Sequence, residues 1–214
     1  MTCSLFAPTV RRVLDDMHAQ ADRNDPPLLA KAQGKTGEER AALLTEAFIP
    51  VDPEAGRLLY TLVRGAGTGT VVEFGTSYGI STIYMAAALR DRGEGKVITS
   101  EILDSKAERA REYIREAGLL DRVDLRVGDA LETLAGLPQD VSIVFLDGMK
   151  SLYLPVLELL EPALRPGALV VADDLALFPV PLQPYLAYVR DPANGYASVT
   201  IPIGDTMELS TRTS

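Results

Sequence analysis

The 214-residue sequence has no tryptophan, one histidine and one cysteine. The lone thiol, Cys3, can form no intramolecular disulfide, and with a single histidine, His18, there is no Cys/His cluster of the kind that holds zinc. A reducing compartment, the cytoplasm, is the expectation. Positive charge is also short, since 21 Lys and Arg face 30 Asp and Glu for a net charge of −9. Nucleic acids and anionic membranes are bound chiefly through Lys and Arg on phosphates, so neither is the expected partner. No run approaches the roughly 18 apolar residues of a membrane span, and Met1–Val10 lacks the basic start and apolar stretch of a secretion signal. The chain therefore reads as unprocessed and soluble. Its 47% hydrophobic and 24% charged residues suit one globular domain over residues 1–214.

Residues 1–50 show helical spacing at Val10, Val13, Leu14 and Met17, interrupted at Asn24-Asp25-Pro26-Pro27, which predicts a segment of short helices. His18 lies there and reads as an exposed or capping residue. A core over residues 51–214 follows. Pro53 suits a first helical turn, Ala55, Leu58, Leu59, Leu62 and Val63 recur at helical spacing, and Gly65 is the stop. Beyond it, short apolar runs alternate with amphipathic segments. Strands are predicted at Thr70–Phe74, Lys96–Glu101, Val123–Val127, Ser142–Leu146 and Ala168–Ala172, and helices at Ile80–Arg90, Ser105–Ala117, Ala130–Leu134 and Leu152–Leu164. Continuous apolar runs suit strands buried on both faces, and their alternation with helices implies right-handed crossovers in a parallel sheet. Ser105 with Glu108 reads as a capping box, and Gly118 as the end of that helix. A loop crowded with Pro179, Pro181 and Pro184 precedes a short helix, Tyr185–Arg190. Tyr196–Ile201 and Thr206–Thr211 read as a closing antiparallel β-hairpin at the sheet edge.

In an open parallel sheet, ligands bind beyond the carboxyl ends of the strands. The first strand ends in Glu73-Phe74-Gly75-Thr76-Ser77-Tyr78-Gly79, where two glycines permit a tight turn and let a ligand approach backbone N–H groups. Thr and Ser stand where the dinucleotide G-x-G-x-x-G fingerprint needs glycine, which disfavours an NAD-dependent oxidoreductase. Glu73 points to a cationic or amine-bearing ligand rather than a pyrophosphate. Glu101 ends the second strand, where such folds hydrogen-bond a ribose diol. A nucleoside with positive charge and no phosphate is S-adenosylmethionine. Asp147 ends the fourth strand, and Asp173 and Asp174 end the fifth 26 residues later, so the three carboxylates meet at neighbouring strand ends. They repel one another unless a cation sits between them, and hard oxygen ligands favour Mg²⁺ or a similar divalent ion. Lys150, three residues after Asp147, can turn back toward the same cleft.

Three ordered motifs, Val71 to Thr82, Leu146 to Pro155 and Val170 to Asp174, resemble the catechol O-methyltransferase family, with similarity running from about Ile49 to Arg190. The resemblance implies a Rossmann-like class I methyltransferase fold: α/β, a mostly parallel seven-stranded sheet with a C-terminal antiparallel hairpin and helices on both faces. It further implies a metal-dependent enzyme that uses S-adenosylmethionine to methylate a hydroxyl of a small catechol-like acceptor. Metal ligands then fall on Asp147, Asp173 and Asp174, the last usually Asn in the family. Lys150 is implied as the general base beside Asp147, and a divalent ion near it would lower its pKa. Cofactor contacts fall on Val51, Glu73, Gly75, Ser81, Glu101, Ile102, Ala130 and Asp147. Ala130 and Leu131 replace polar residues of the animal catechol enzyme. The short Gly195–Asp205 connection offers no counterpart to that enzyme's acidic contact with the second catechol oxygen. Phe178–Pro184 and the N-terminal helices would wall the acceptor site, and pairing through those helices makes a homodimer the family-level expectation. Two rival readings remain open, a metal-independent small-molecule methyltransferase and a non-catalytic S-adenosylmethionine-binding module.

Overall fold

The five apolar runs become parallel strands β1 (Thr70–Phe74), β2 (Val97–Glu101), β3 (Val123–Val127), β4 (Val141–Leu146) and β5 (Leu164–Ala172) in a computed structural model that describes residues 3–35 and 37–213. With the hairpin strands β6 (Tyr196–Ile201) and β7 (Met207–Arg212) they form a seven-stranded sheet of order β3-β2-β1-β4-β5-β7-β6. β6 and β7 pair antiparallel at the sheet edge, as the hairpin pattern predicts, and the structure adds that β7 lies between β5 and β6. Side chains alternate across the pleat with period two. Val71, Ile143, Phe145 and Val171 therefore enter one apolar core, and Val72, Val144, Leu146 and Val170 enter the other.

Helices cover both faces. On the first lie α1 (Pro8–Ala32), α3 (Pro53–Gly65), α4 (Ile80–Arg92) and α5 (Asp104–Glu116), with α2 (Gly37–Leu44) packed against α1. On the second lie α6 (Ala130–Thr133), α7 (Tyr153–Leu160) and α8 (Gln183–Arg190). Every residue of α4 from Ile80 to Leu89 is buried, because α3 covers the side turned away from the sheet. No helix of the described residues is long and apolar enough to cross a membrane.

Four local expectations are corrected. The helix does not break at Pro26-Pro27 but runs on to Ala32. Those prolines supply no N–H to the carbonyls one turn earlier, a substantial local cost, yet the buried face of the helix continues from Met17 through Ala21 and Asp25 to Ala32. The buried Asp25 carboxylate accepts the N–H groups of Phe48 at 2.9 Å and Ile49 at 2.7 Å, so a long-range contact outweighs the local break. His18 is half-buried in the middle of α1 and caps nothing. Ser105 does not cap α5, which starts at Asp104 with Leu103 at the cap and the Leu103 N–H held by Glu101. Lastly, the expected helix to Leu164 stops at Leu160: a single 3₁₀ turn, Glu161–Ala163, contains Pro162, and β5 begins at once. The other end of α5 is as predicted. Gly118 adopts φ +72°, its N–H donates to Arg115 O, and Leu119 N–H donates to Ile114 O, the paired bonds of a Schellman stop.

Candidate active site

Strand register assembles the site. Phe74 pairs with Leu146, and Leu146 with Ala172, so the residues that follow each strand, Gly75, Asp147 and Asp173, emerge side by side. Gly75 turns at φ +103°, and a Cβ there would lie 2.6 Å from the Asp147 carbonyl oxygen, so only glycine lets β1 and β4 end this close. Beyond it a cleft is lined by Phe48, Val51, Gly75, Ser77, Ser81 and Asp147, among others. Its floor is the turn from Gly75 to Gly79 entering α4, where unpaired helix N–H groups and the positive end of the helix favour polar ligand atoms.

Glu73 lies beneath this floor. It is fully buried, with Oε1 accepting the Ser81 hydroxyl at 2.6 Å and Oε2 accepting Thr82 at 2.5 Å and Thr99 at 2.6 Å. Burial pushes its carboxyl above the usual glutamate range, against the opposing pull of the three hydroxyls. The expectation of a carboxylate facing an amine ligand is corrected: Glu73 spends its acceptors inside the protein, fixing the first turn of α4 to β1 and β2. Glu101, at the end of β2, is 7% exposed. Its carboxylate takes Ser77 N–H at 2.8 Å and Leu103 N–H at 2.9 Å, leaving further lone pairs for a diol. Ile102 beside it is 66% exposed, an apolar face suited to a flat ring. Ala130 is buried at the start of α6, which Asp129 caps through Leu131 N–H at 2.9 Å.

The acidic cluster forms as the strand ends require. Ligand oxygens of Asp147, Asp173 and Asp174 all lie within 4.8 Å of one another. Asp174 has φ +68°, a left-handed conformation that Asn and Asp tolerate best, and its N–H donates to Asp173 Oδ1 at 2.8 Å. Asp and Asn tolerate that conformation alike, so either suits this position. Lys150 reaches in, with Nζ 3.2 Å from Asp147, 2.6 Å from Asp174 and 2.8 Å from the Tyr153 hydroxyl. Tyr153 both packs and contacts the site: it is fully buried against Phe74 and Tyr185, and its hydroxyl donates to Asp173 O at 3.3 Å. Burial pushes the Asp147 carboxyl well up, the Asp173 and Asp174 charges add to this, and Lys150 opposes it. Burial pushes Lys150 down, but the Asp147 and Asp174 carboxylates outweigh it and hold the ammonium above the usual lysine value. Three carboxylates and one ammonium leave two negative charges on hard oxygen donors, a set that fits a divalent ion.

Sequence reasoning missed several residues that shape this region. Phe48 and Tyr78 stack at the cleft with ring centroids 4.2 Å apart, and Lys106 is buried behind them. Asp205 comes from the β6–β7 turn, whose carbonyl takes Ala176 N–H at 2.9 Å, and its carboxyl is pushed up by burial and by Asp174. Phe48, Lys106 and Asp205 are brought in from distant parts of the chain, and no local pattern marks them.

A methyltransferase domain family matches residues 72–175. The chain is 34% identical over 139 residues to the catechol O-methyltransferase of Niastella koreensis, covering 62% of each protein. It is 31% identical over 188 residues to catechol O-methyltransferase B of Danio rerio, covering 85% of this chain and 68% of that one. Among solved structures, cofactor-bound Rv0187 from MTB superimposes with TM-score 0.70 and 27% identity, over 97% of this chain and 99% of that one. The match to the Niastella enzyme thus spans under two thirds of that protein, whereas the vertebrate match and the solved structure extend further. By motif order, sheet topology and these similarities, the chain belongs to the catechol O-methyltransferase-like family of class I O-methyltransferases.

Proposed function

We propose that this protein transfers a methyl group from S-adenosylmethionine to a hydroxyl of a small acceptor bearing two adjacent oxygens, such as a catechol, with the help of a divalent ion, Mg²⁺ in the first instance. Residues 1–214 act as one domain in this reading, with residues 1–50 covering the cofactor side. The observation that carries the proposal is the double membership of Asp147, which lines the nucleoside cleft beside Gly75 and also stands in the acidic cluster with Asp173, Asp174 and Lys150. Cofactor and acceptor would meet at that residue. Relatives named catechol O-methyltransferase support the acceptor class.

Glu101 accepts the ribose hydroxyls, Ile102 and Ala130 border the base, and Val51, Gly75 and Ser81 line the methionine side. Glu73 holds Ser81 and Thr82, and with them the turn that receives the cofactor. Asp147, Asp173 and Asp174 would hold the metal, which would supply Lewis-acid polarisation of the acceptor hydroxyl and disfavour the charged form of Lys150. Lys150 then takes the hydroxyl proton at Nζ, and the acceptor oxygen forms its bond to the methyl carbon as the sulfur–carbon bond breaks, leaving S-adenosylhomocysteine. Much of the acceleration comes from holding oxygen and methyl in line at contact distance.

A second reading has one observation in its favour. The Lys150 ammonium, 2.6 Å from Asp174 and 3.2 Å from Asp147, already compensates part of the acidic cluster, as a metal-independent methyltransferase would need. Methyl transfer from labelled S-adenosylmethionine to a panel of catechols and other vicinal diols, with Mg²⁺ and with EDTA, separates them. Transfer only with Mg²⁺ supports the proposal; transfer that survives EDTA establishes the second reading. Cofactor binding with no transfer to any acceptor would leave a binding module.

A further inference from the structure

The segment Ala47–Val51 forms one wall of the cofactor cleft, and a chain of polar contacts fastens it from outside the cleft. Asp25 of α1 accepts the N–H groups of Phe48 and Ile49. Lys106 of α5 donates from Nζ to Ala47 O at 2.8 Å and to Ser77 Oγ at 3.3 Å, and Ser77 Oγ donates to Phe48 O at 3.0 Å. The Phe48 ring stacks on Tyr78, and the Lys106 ammonium lies 5.1 Å from the centre of the Tyr78 ring. These contacts join the wall segment to the Gly75–Gly79 floor and to the helices behind it, and Lys106 also ties α5 to that floor.

Two features mark the junction as more than packing. Lys106 is only 8% exposed, and its hydrogen-bond partners are a carbonyl and a hydroxyl, neither of them charged. Burial pushes its pKa down against the more distant carboxylates of Glu101, Asp25 and Glu46, so the ammonium is retained there at a cost. The backbone is also strained on both sides of the bond between Ser77 and Phe48: Ile49 has φ +45° and Ser77 has φ +47°, positive values that a β-branched residue in particular adopts only when its surroundings impose them. The anchors oppose release of that strain, which would let the wall move off the floor.

We propose that Lys106 and Asp25 are positioning residues for the cofactor: together they hold the Ala47–Val51 wall against the Gly75–Gly79 floor and so set how tightly the nucleoside ligand is kept, without contacting the reacting atoms. The proposal rests on the reading of this cleft as the S-adenosylmethionine site. Lys106→Met keeps the length of the side chain and removes its donors; Asp25→Asn keeps shape and removes the charge and one acceptor.

Calorimetric titration with S-adenosylhomocysteine should show each variant binding about tenfold more weakly or worse, the loss expected for charge-assisted hydrogen bonds to the wall. Turnover at saturating S-adenosylmethionine should stay near the wild-type value, so that KM for the cofactor moves and kcat does not. Amide exchange of the ligand-free protein supplies a readout independent of activity: the peptide covering residues 47–51 should exchange faster in Asp25→Asn, with β1 and β4 unchanged. If Lys106→Met fails to fold, Asp25→Asn carries the test. Unchanged affinity and unchanged exchange would overturn the proposal, as would a parallel fall in kcat. A wild-type protein that binds no S-adenosylhomocysteine would instead overturn the reading of the cleft itself, and the two failures are distinct.

Discussion

Lys150 Nζ lies 2.6 Å from Asp174 Oδ2, although one residue follows β4 and the other follows β5. This single ammonium stands against three carboxylates whose oxygens lie within 4.8 Å of one another, so their like charges are only partly compensated. The arrangement is poor for stability and suited to holding a cation.

From this imbalance, Asp147→Asn should abolish most turnover while stabilising the fold. The expected loss of methyl transfer is at least about 100-fold. In EDTA, where no metal contributes, removing one of three repelling charges should raise the melting temperature by about 2–4 °C. Paired activity and thermal-unfolding measurements check both signs, and full activity in the variant would refute the metal-ligand role.

Lys150→Arg separates charge from basicity. Arginine keeps the positive partner of Asp147 and Asp174 but does not give up its proton at accessible pH. The cofactor affinity should stay within about twofold while kcat falls about 100-fold, the usual scale of a lost general base. A variant with near-normal kcat would show that Nζ takes no proton in the rate-limiting step.

Glu73 should make stability depend on pH in the direction opposite to most carboxylates. Burial raises its folded-state pKa above the ordinary glutamate value of 4.5, so its favourable contribution is complete below that value and is lost as pH rises through the folded pKa. Glu73→Gln mimics the protonated form and does not titrate. The stability of wild type relative to this variant should therefore decline as pH rises above 4.5 in denaturant titrations. Parallel curves would mean that the three hydroxyl bonds fully offset burial.

Two glycines should respond very differently to alanine. At Gly118 the positive φ of +72° is the only obstacle, since nothing lies within 4 Å of an added Cβ, so the cost is about 1 kcal/mol. At Gly75 the added Cβ also strikes the Asp147 backbone at 2.6 Å, and the expected cost is about 3 kcal/mol together with loss of cofactor binding. Equal melting temperatures for the two variants would contradict the close approach of β1 and β4.

The alternation of apolar runs with amphipathic segments was enough to place all five parallel strands and the closing hairpin, because strands buried on both faces must be apolar throughout and the chain punctuates them with Gly, Pro and Asp. The same logic made Asp147, Asp173 and Asp174 legible as a cluster, since parallel neighbours end at a common edge. Sequence by itself did not determine what the tertiary structure decided elsewhere. The course of α1 through Pro26-Pro27 depends on Asp25 meeting Phe48 and Ile49, more than twenty residues away. Whether Glu73 faces ligand or protein depends on Ser81, Thr82 and Thr99 converging on it from two other elements. The ion pair between Lys150 and Asp174 likewise exists only once β4 and β5 lie side by side. Local pattern reports which face of an element is apolar. The partner that satisfies a buried carboxylate or ammonium is chosen by packing, and so is the energy that overrides a local break.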